Sequence, residues 1–122
     1  MRTPMRRKGE AMAEISLCMI VKDEEARLAR CLKSVCGAVD EIIILDTGSM
    51  DATKAIAREF TPNIYDYAWD DDFAAARNAS LTHATRPFIL WLDADDVLES
   101  SEREKLIALK RRLTDDVDAV MM

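Results

Sequence analysis

Three carboxylates, Asp93, Asp95 and Asp96, fall within four positions directly behind the apolar run FILWL at 88–92. Like charges at that spacing repel one another, so a strand that ends in them calls for a counter-charge. If the chain stays extended past the strand, Asp93 and Asp95 point to the same side. Two carboxylates on one side suit a hard cation. Mg2+ in particular takes one or two protein carboxylates and completes its shell with phosphates and water. The pair therefore fits Mn2+ or Mg2+ arriving with phosphate ligands of its own. Short D-x-D matches also arise by chance. The plain alternative is that Asp96 or Ser100 caps the next helix while the other carboxylates are solvated.

Three other chemistries use such a pattern. A calcium loop starting at Asp93 would reach Glu104 at its twelfth position, but Val97 and Leu98 occupy a ligand position and the glycine turn, and a strand precedes it. An aspartyl-phosphate phosphatase would use Asp93 as nucleophile and Asp95 as acid, with supporting residues downstream for which little chain remains. A receiver-type signalling module would phosphorylate Asp46 and hold Mg2+ with Asp23 and Glu24. That module is the binding-domain alternative to an enzyme.

Two further acidic clusters stand behind apolar runs: Lys22-Asp23-Glu24-Glu25 after ISLCMIV (15–21), and Asp46-Thr47-Gly48-Ser49 after EIIIL (41–45). The only glycines are Gly9, Gly37 and Gly48, so the chain has neither a GxGxxG fingerprint nor a Walker A loop. A diphosphate would thus be held by metal and side chains, without a glycine-rich cradle.

The elements that must position these residues alternate. ISLCMIV is a continuous apolar run, the pattern of a strand covered on both faces. A helix follows from about Glu24 to Cys36, with Leu28, Cys31, Leu32 and Val35 on one side and Gly37 as its stop. After the strand EIIIL comes a short helix capped by Ser49 or Asp51. NIYDYAW (63–69) reads as a strand nearer an edge, DDDFAAARNASLTHA as a helix, FILWL as the fourth strand, and about 100–113 as a final helix. VDAVMM begins a fifth apolar segment. Such alternation predicts an α/β, three-layer sandwich with a mainly parallel sheet and right-handed crossovers. Ligands of such sheets bind beyond the carboxyl ends of the strands, where all three acidic clusters fall.

The 122 residues suffice for one domain with a core of its own. Residues 1–13 read as a disordered tail carrying four Lys and Arg and one Glu, so residues 14–122 are more acidic than the overall charge of −6. That balance argues against nucleic acid as a partner. No apolar run approaches the roughly 20 residues of a transmembrane helix. Cys18, Cys31 and Cys36 form no zinc-like spacing and read as reduced thiols of a cytoplasmic protein. His83, placed within the third helix, reads as a surface or core histidine. Phe88 and Trp91 read as core, Trp69 and Phe73 as cover for the sheet rim, and Asp70 to Asp72 as helix-capping acids.

Taken together, ISLCMIVKDEEARLARCLKSV, EIIILDTGSMDATKAIA, WDDDFAAARNASL and FILWLDADDVLE resemble, in that order, the nucleotide-binding half of family 2 glycosyltransferases, with their Rossmann-like GT-A fold. The resemblance covers about residues 15 to 100. It implies a nucleotide-diphosphate sugar donor, a UDP-sugar favoured, bound with Mn2+ or Mg2+. Carried over residue by residue, Val21, Asp23 and Glu24 line the base pocket and Asp46 hydrogen-bonds the base. Arg77 and Asn78 shape the donor site, Asp93 approaches ribose or metal, and Asp95 ligates the cation. Asp23 stands where the family often has Asn. The family places its acceptor site and catalytic base after the D-x-D strand, where few residues remain here. The resulting expectation is a domain truncated at its C-terminus. It would have no catalytic base in this chain, transfer no sugar alone, and self-associate through uncovered sheet surface.

Overall fold

The computed structural model describes residues 13–112. Within them, four strands, β1 (Ile15–Val21), β2 (Glu41–Asp46), β3 (Ile64–Asp66) and β4 (Phe88–Trp91), alternate with four helices, α1 (Leu28–Val35), α2 (Thr53–Arg58), α3 (Phe73–Leu81) and α4 (Ser100–Arg112). All strand pairs are parallel, in the order β3-β2-β1-β4. The predicted α/β architecture is the one observed. The N-terminal tail and the VDAVMM segment lie outside the described residues.

Alternation along β1 and β2 divides the core into two layers. Ile15, Leu17, Met19 and Val21 of β1, with Ile42 and Ile44 of β2, pack against Leu28, Cys31, Leu32 and Val35 of α1, Ala57 of α2 and Leu106 of α4. Cys18, Ile43 and Leu45 point the other way, toward α3, whose buried residues are Ala76 and Ser80. Both faces are thus covered, which is why the sequence of β1 and β2 is apolar at nearly every position. Among the described residues, no helix is long and apolar enough to cross a membrane.

The elements depart from the sequence reading where side chains take over backbone duties. α1 starts at Leu28 instead of Glu24: residues 25–27 form a turn in which Arg27 N and Leu28 N both donate to Glu24 O, while the amides of Glu24 and Glu25 donate to Thr53 Oγ1 and Asp51 Oδ2. Ala52, not Ser49 or Asp51, occupies the cap position of α2, although the Asp51 carboxylate accepts from Thr53 N. β3 keeps only three residues of the predicted 63–69, as befits an edge strand. His83 lies beyond the end of α3 and stacks on Tyr65 with ring centroids 3.6 Å apart. Trp91 is not core: it sits on the opposite face of β4 from Phe88 and is half-buried under the Arg77 guanidinium.

α4 is fastened by cations. Lys110, only 5% exposed, donates to Ala38 O at 3.1 Å and to Asp40 Oδ2 at 2.9 Å, and the same Asp40 oxygen accepts from Ile15 N. One turn and more away, Arg103 Nη2 donates to Cys36 O at 2.6 Å, in the space that a Cβ at Gly37 would invade.

At the opposite end of the strands from the acidic clusters, Glu41 accepts from Ser16 Oγ, Thr85 N and Thr85 Oγ1 at 2.7 to 2.8 Å. Burial pushes its carboxyl up, but these hydrogen bonds and the charge of Arg86 outweigh burial and leave it below its ordinary 4.5. A carboxyl depressed by folding contributes stability above its unfolded pKa, and that contribution is lost as pH falls through the folded value. Glu41→Gln is therefore expected to lose less stability than the parent protein between about pH 6 and about pH 3.5. Urea midpoints at the two pH values measure this, and parallel losses would refute it.

Candidate functional site

Parallel pairing brings the C-terminal ends of the strands to one rim. Val21 pairs with Asp46, so the chain leaves β1 and β2 side by side, and the two exits are laced together. Asp23 N donates to Ser49 Oγ and Met50 N to Asp23 Oδ1. Glu24 N donates to Thr53 Oγ1, Glu25 N to Asp51 Oδ2, and Ala52 N to Glu25 Oε1. Asp23 adopts the left-handed backbone region, with φ 51°, which turns the chain into this lattice. Asp23 and Glu25 therefore spend their amides and one carboxylate oxygen each on loop bracing, and Glu24 its amide, while the Glu24 carboxylate pairs with Arg27.

Asp46 is different. It is 1% exposed, and its Oδ1 accepts from Gly48 N at 2.9 Å and Ser49 N at 2.8 Å. Its Oδ2 is buried and has no hydrogen-bond partner. A buried acceptor without a donor is costly and rare, so it marks a place where a partner is wanting.

At the ends of β1 and β2 lies a hollow of about 260 Å3 lined by Ile20, Val21, Lys22, Glu24, Thr47, Trp69 and Phe73. Of the residues expected at the base, Val21 and Glu24 line it; Asp23 and Asp46 do not. Thr47 and Ile20 were not anticipated, though each adjoins a residue that was.

The third acidic end is built otherwise. Beyond Trp91 the chain does not stay extended: Asp96 N donates to Asp93 O at 2.9 Å, closing a turn, and Asp96 Oδ2 accepts from Asp93 N at 2.9 Å. The turn gathers Asp93, Asp95 and Asp96, all exposed, so that one carboxylate oxygen from each lies within 4.8 Å of the others. This is the only such group of three among the described residues. Hard oxygen donors in this number fit Mg2+ or Mn2+. Underneath, the Cys31 thiol donates to Asp93 O at 3.6 Å. Burial first, then the charges of Asp96, Asp95 and Asp93, push that thiol up to about 11, so near neutral pH it keeps the proton it donates to Asp93 O.

Beside the cluster, a second hollow of about 280 Å3 is lined by Ile20, Phe73, Arg77, Trp91, Leu92, Asp93 and Asp96. The Arg77 guanidinium lies 4.5 Å over the Trp91 ring and 6.0 Å from that of Phe73, a cation–π arrangement that orients it. Ile20 and Phe73 belong to both hollows. Asn78 is exposed on α3 and lines neither. A third hollow, about 630 Å3, is an open trough between α2 and the edge strand β3. It carries the Lys54–Asp66 ion pair but no group of convergent acids, and we assign it no chemistry.

Comparison with known proteins follows the same segments. The profile of the family described as Glycosyl transferase family 2 matches residues 16–121. A TPR repeat-containing protein of Synechococcus elongatus is 56% identical over 90 residues, covering 74% of this chain and 22% of its own length. The SPbeta prophage-derived glycosyltransferase SunS of Bacillus subtilis is 34% identical over 102 residues, covering 81% of this chain and 24% of its own length. The chain thus spans about a quarter of each of these relatives. Among solved structures, glucosyl-3-phosphoglycerate synthase of Mycobacterium tuberculosis in complex with Mn2+, UDP and glucosyl-3-phosphoglycerate aligns with a TM-score of 0.60 at 21% identity, over 77% of this chain and 39% of that one. Residues 1–349 of S. aureus TarS align with a TM-score of 0.61 at 21% identity, over 78% of this chain and 31% of that one. At these identities the likeness to solved structures is one of fold.

Proposed function

The chain belongs to glycosyl transferase family 2, and on that premise we propose that it forms the donor-binding part of a glycosyltransferase, taking a nucleoside-diphosphate sugar, with UDP the favoured nucleotide. The observation that carries this reading is the buried, partnerless Oδ2 of Asp46 at the end of β2, whose neighbour in sequence, Thr47, lines a hollow wide enough for a base. The imide N–H of uracil, or the corresponding N–H of guanine, would satisfy it. Val21, Glu24 and Thr47 surround the base, and Asp23 holds the rim in shape from outside. The diphosphate extends across Ile20 and Phe73 toward Arg77 and the acidic turn. Asp93, Asp95 and Asp96 would hold the divalent cation, which supplies charge to neutralise the departing diphosphate. A relative in fold crystallises with UDP and either Mn2+ or Mg2+, which supports a divalent ion without choosing between the two.

In the transfer itself, the bond from the anomeric carbon to the diphosphate oxygen breaks. A bond to an acceptor hydroxyl oxygen forms, and the hydroxyl proton passes to a carboxylate base. In this reading the described residues serve the donor, and acceptor deprotonation falls to other residues.

Calorimetric titration with UDP tests the proposal. Binding is expected with Mn2+ present and is lost on adding EDTA. Failure of both UDP and GDP to bind in Mn2+ would remove the reading.

A further inference from the structure

Resting on the donor-binding reading, we propose that Trp69 stacks on the nucleobase and determines how tightly the base is held. Trp69 and Phe73 leave 42% and 54% of their surfaces exposed, although both are large and apolar. They line the same hollow, together with Val21 and Thr47. A flat, exposed indole at the mouth of a small hollow gains by covering a flat ligand.

The indole is held in place. Trp69 Nε1 donates to Asp71 Oδ1 at 3.1 Å, and Asp71 itself sits in the left-handed backbone region with φ 62°. A non-glycine residue keeps that conformation only where its surroundings impose it. Asp70 Oδ1 accepts from Asp72 N, and Asp72 Oδ1 accepts from Ala75 N at the start of α3. The three successive aspartates thus fix the loop that carries Trp69. That gives them a task other than cation binding.

The choice of base over sugar follows from where the rim is divided. Trp69 lines the hollow that Val21, Glu24 and Thr47 also line, next in sequence to the partnerless acceptor Asp46, and takes no part in the hollow beside Asp93 and Asp96. In a nucleoside-diphosphate sugar the base and the sugar lie at opposite ends of the diphosphate. With the diphosphate at the acidic turn, the end that reaches Trp69 is the base. Its N–H edge meets Asp46 and its face meets the indole, so edge and face are read by different residues. Stacking tolerates any base, whereas the Asp46 acceptor requires an N–H.

The purified chain, titrated with UDP and separately with pyrophosphate, each with Mn2+, provides the test. Trp69→Ala should weaken UDP binding about tenfold or more and leave pyrophosphate binding unchanged. Trp69→Phe, which keeps an aromatic face, should retain most of the affinity. UDP should quench tryptophan fluorescence more strongly in the parent protein than in Trp69→Phe, where the remaining tryptophan, Trp91, reports on the hollow beside Asp93 and Asp96. Unchanged UDP affinity in Trp69→Ala would overturn the inference while leaving donor binding intact. Equal losses for UDP and pyrophosphate would overturn it too, because the residue would then serve the fold or the phosphates. Absence of UDP binding by the parent protein would overturn the donor reading and this inference with it.

Discussion

Replacing Asp95 with alanine lowers the affinity for UDP in Mn2+ by about a hundredfold or more while leaving the urea midpoint of the protein where it was. Asp95 is the clean choice among the three acids. Asp93 and Asp96 hold each other through backbone and side-chain hydrogen bonds, so removing Asp96 would also open the turn. The Asp95 carboxylate is exposed and braces nothing among the described residues, yet it supplies one of the three converging oxygens. Its loss also relieves repulsion among three like charges, so any change in stability should be upward. The measurement is a UDP titration of Asp95→Ala and the parent protein at matched Mn2+, with urea denaturation of both. Retention of tight, EDTA-sensitive binding would show that the cation is held elsewhere.

The second large effect concerns stability. Lys110→Ala is expected to destabilise the fold by about 2–4 kcal/mol, because removing one partner of a largely buried ion pair leaves the other charge poorly compensated. Lys110 has a side chain 6% exposed and Asp40 one 22% exposed, so neither is well solvated. The lysine stem also fills space between α4 and the start of β2, and Ala38 O loses its donor. Adding Asp40→Asn to Lys110→Ala should recover part of the loss, because the abandoned charge is then gone. Urea denaturation of the single and double variants decides it. A loss below about 0.5 kcal/mol in Lys110→Ala, typical of a solvated surface pair, would refute the assignment.

How much of this was legible beforehand depended on whether local pattern or distant contact decided the outcome. β1 and β2 announced themselves, since strands covered on both faces must be apolar throughout. The capping of α3 by Asp72 was readable for a similar reason: the acid and the amide of Ala75 it serves are neighbours in sequence. The acidic strand ends were legible as a set but not as individuals. Nothing in KDEE reveals that Asp23 and Glu25 will be taken up by amides some 25 residues away, because that depends on β1 and β2 ending in register. The turn at Asp93–Asp96 contains neither glycine nor proline and is made by Asp96 reaching back to Asp93 N, so the extended geometry expected there failed while the acids still converged. Trp91 was misplaced into the core because its cover is Arg77, a cation, where an apolar neighbour was assumed.

The lattice between the two loops that follow β1 and β2 has a consequence for timing. Five hydrogen bonds between backbone amides and side chains hold residues 23–25 against 49–53 before any ligand arrives. The conformational entropy of those loops is surrendered when the protein folds, so an incoming molecule meets a surface already set and need not order it. If a nucleotide is captured at this end of the rim, the expected course is a single encounter whose observed rate rises linearly with ligand concentration, with no slow ordering of these two loops to limit it.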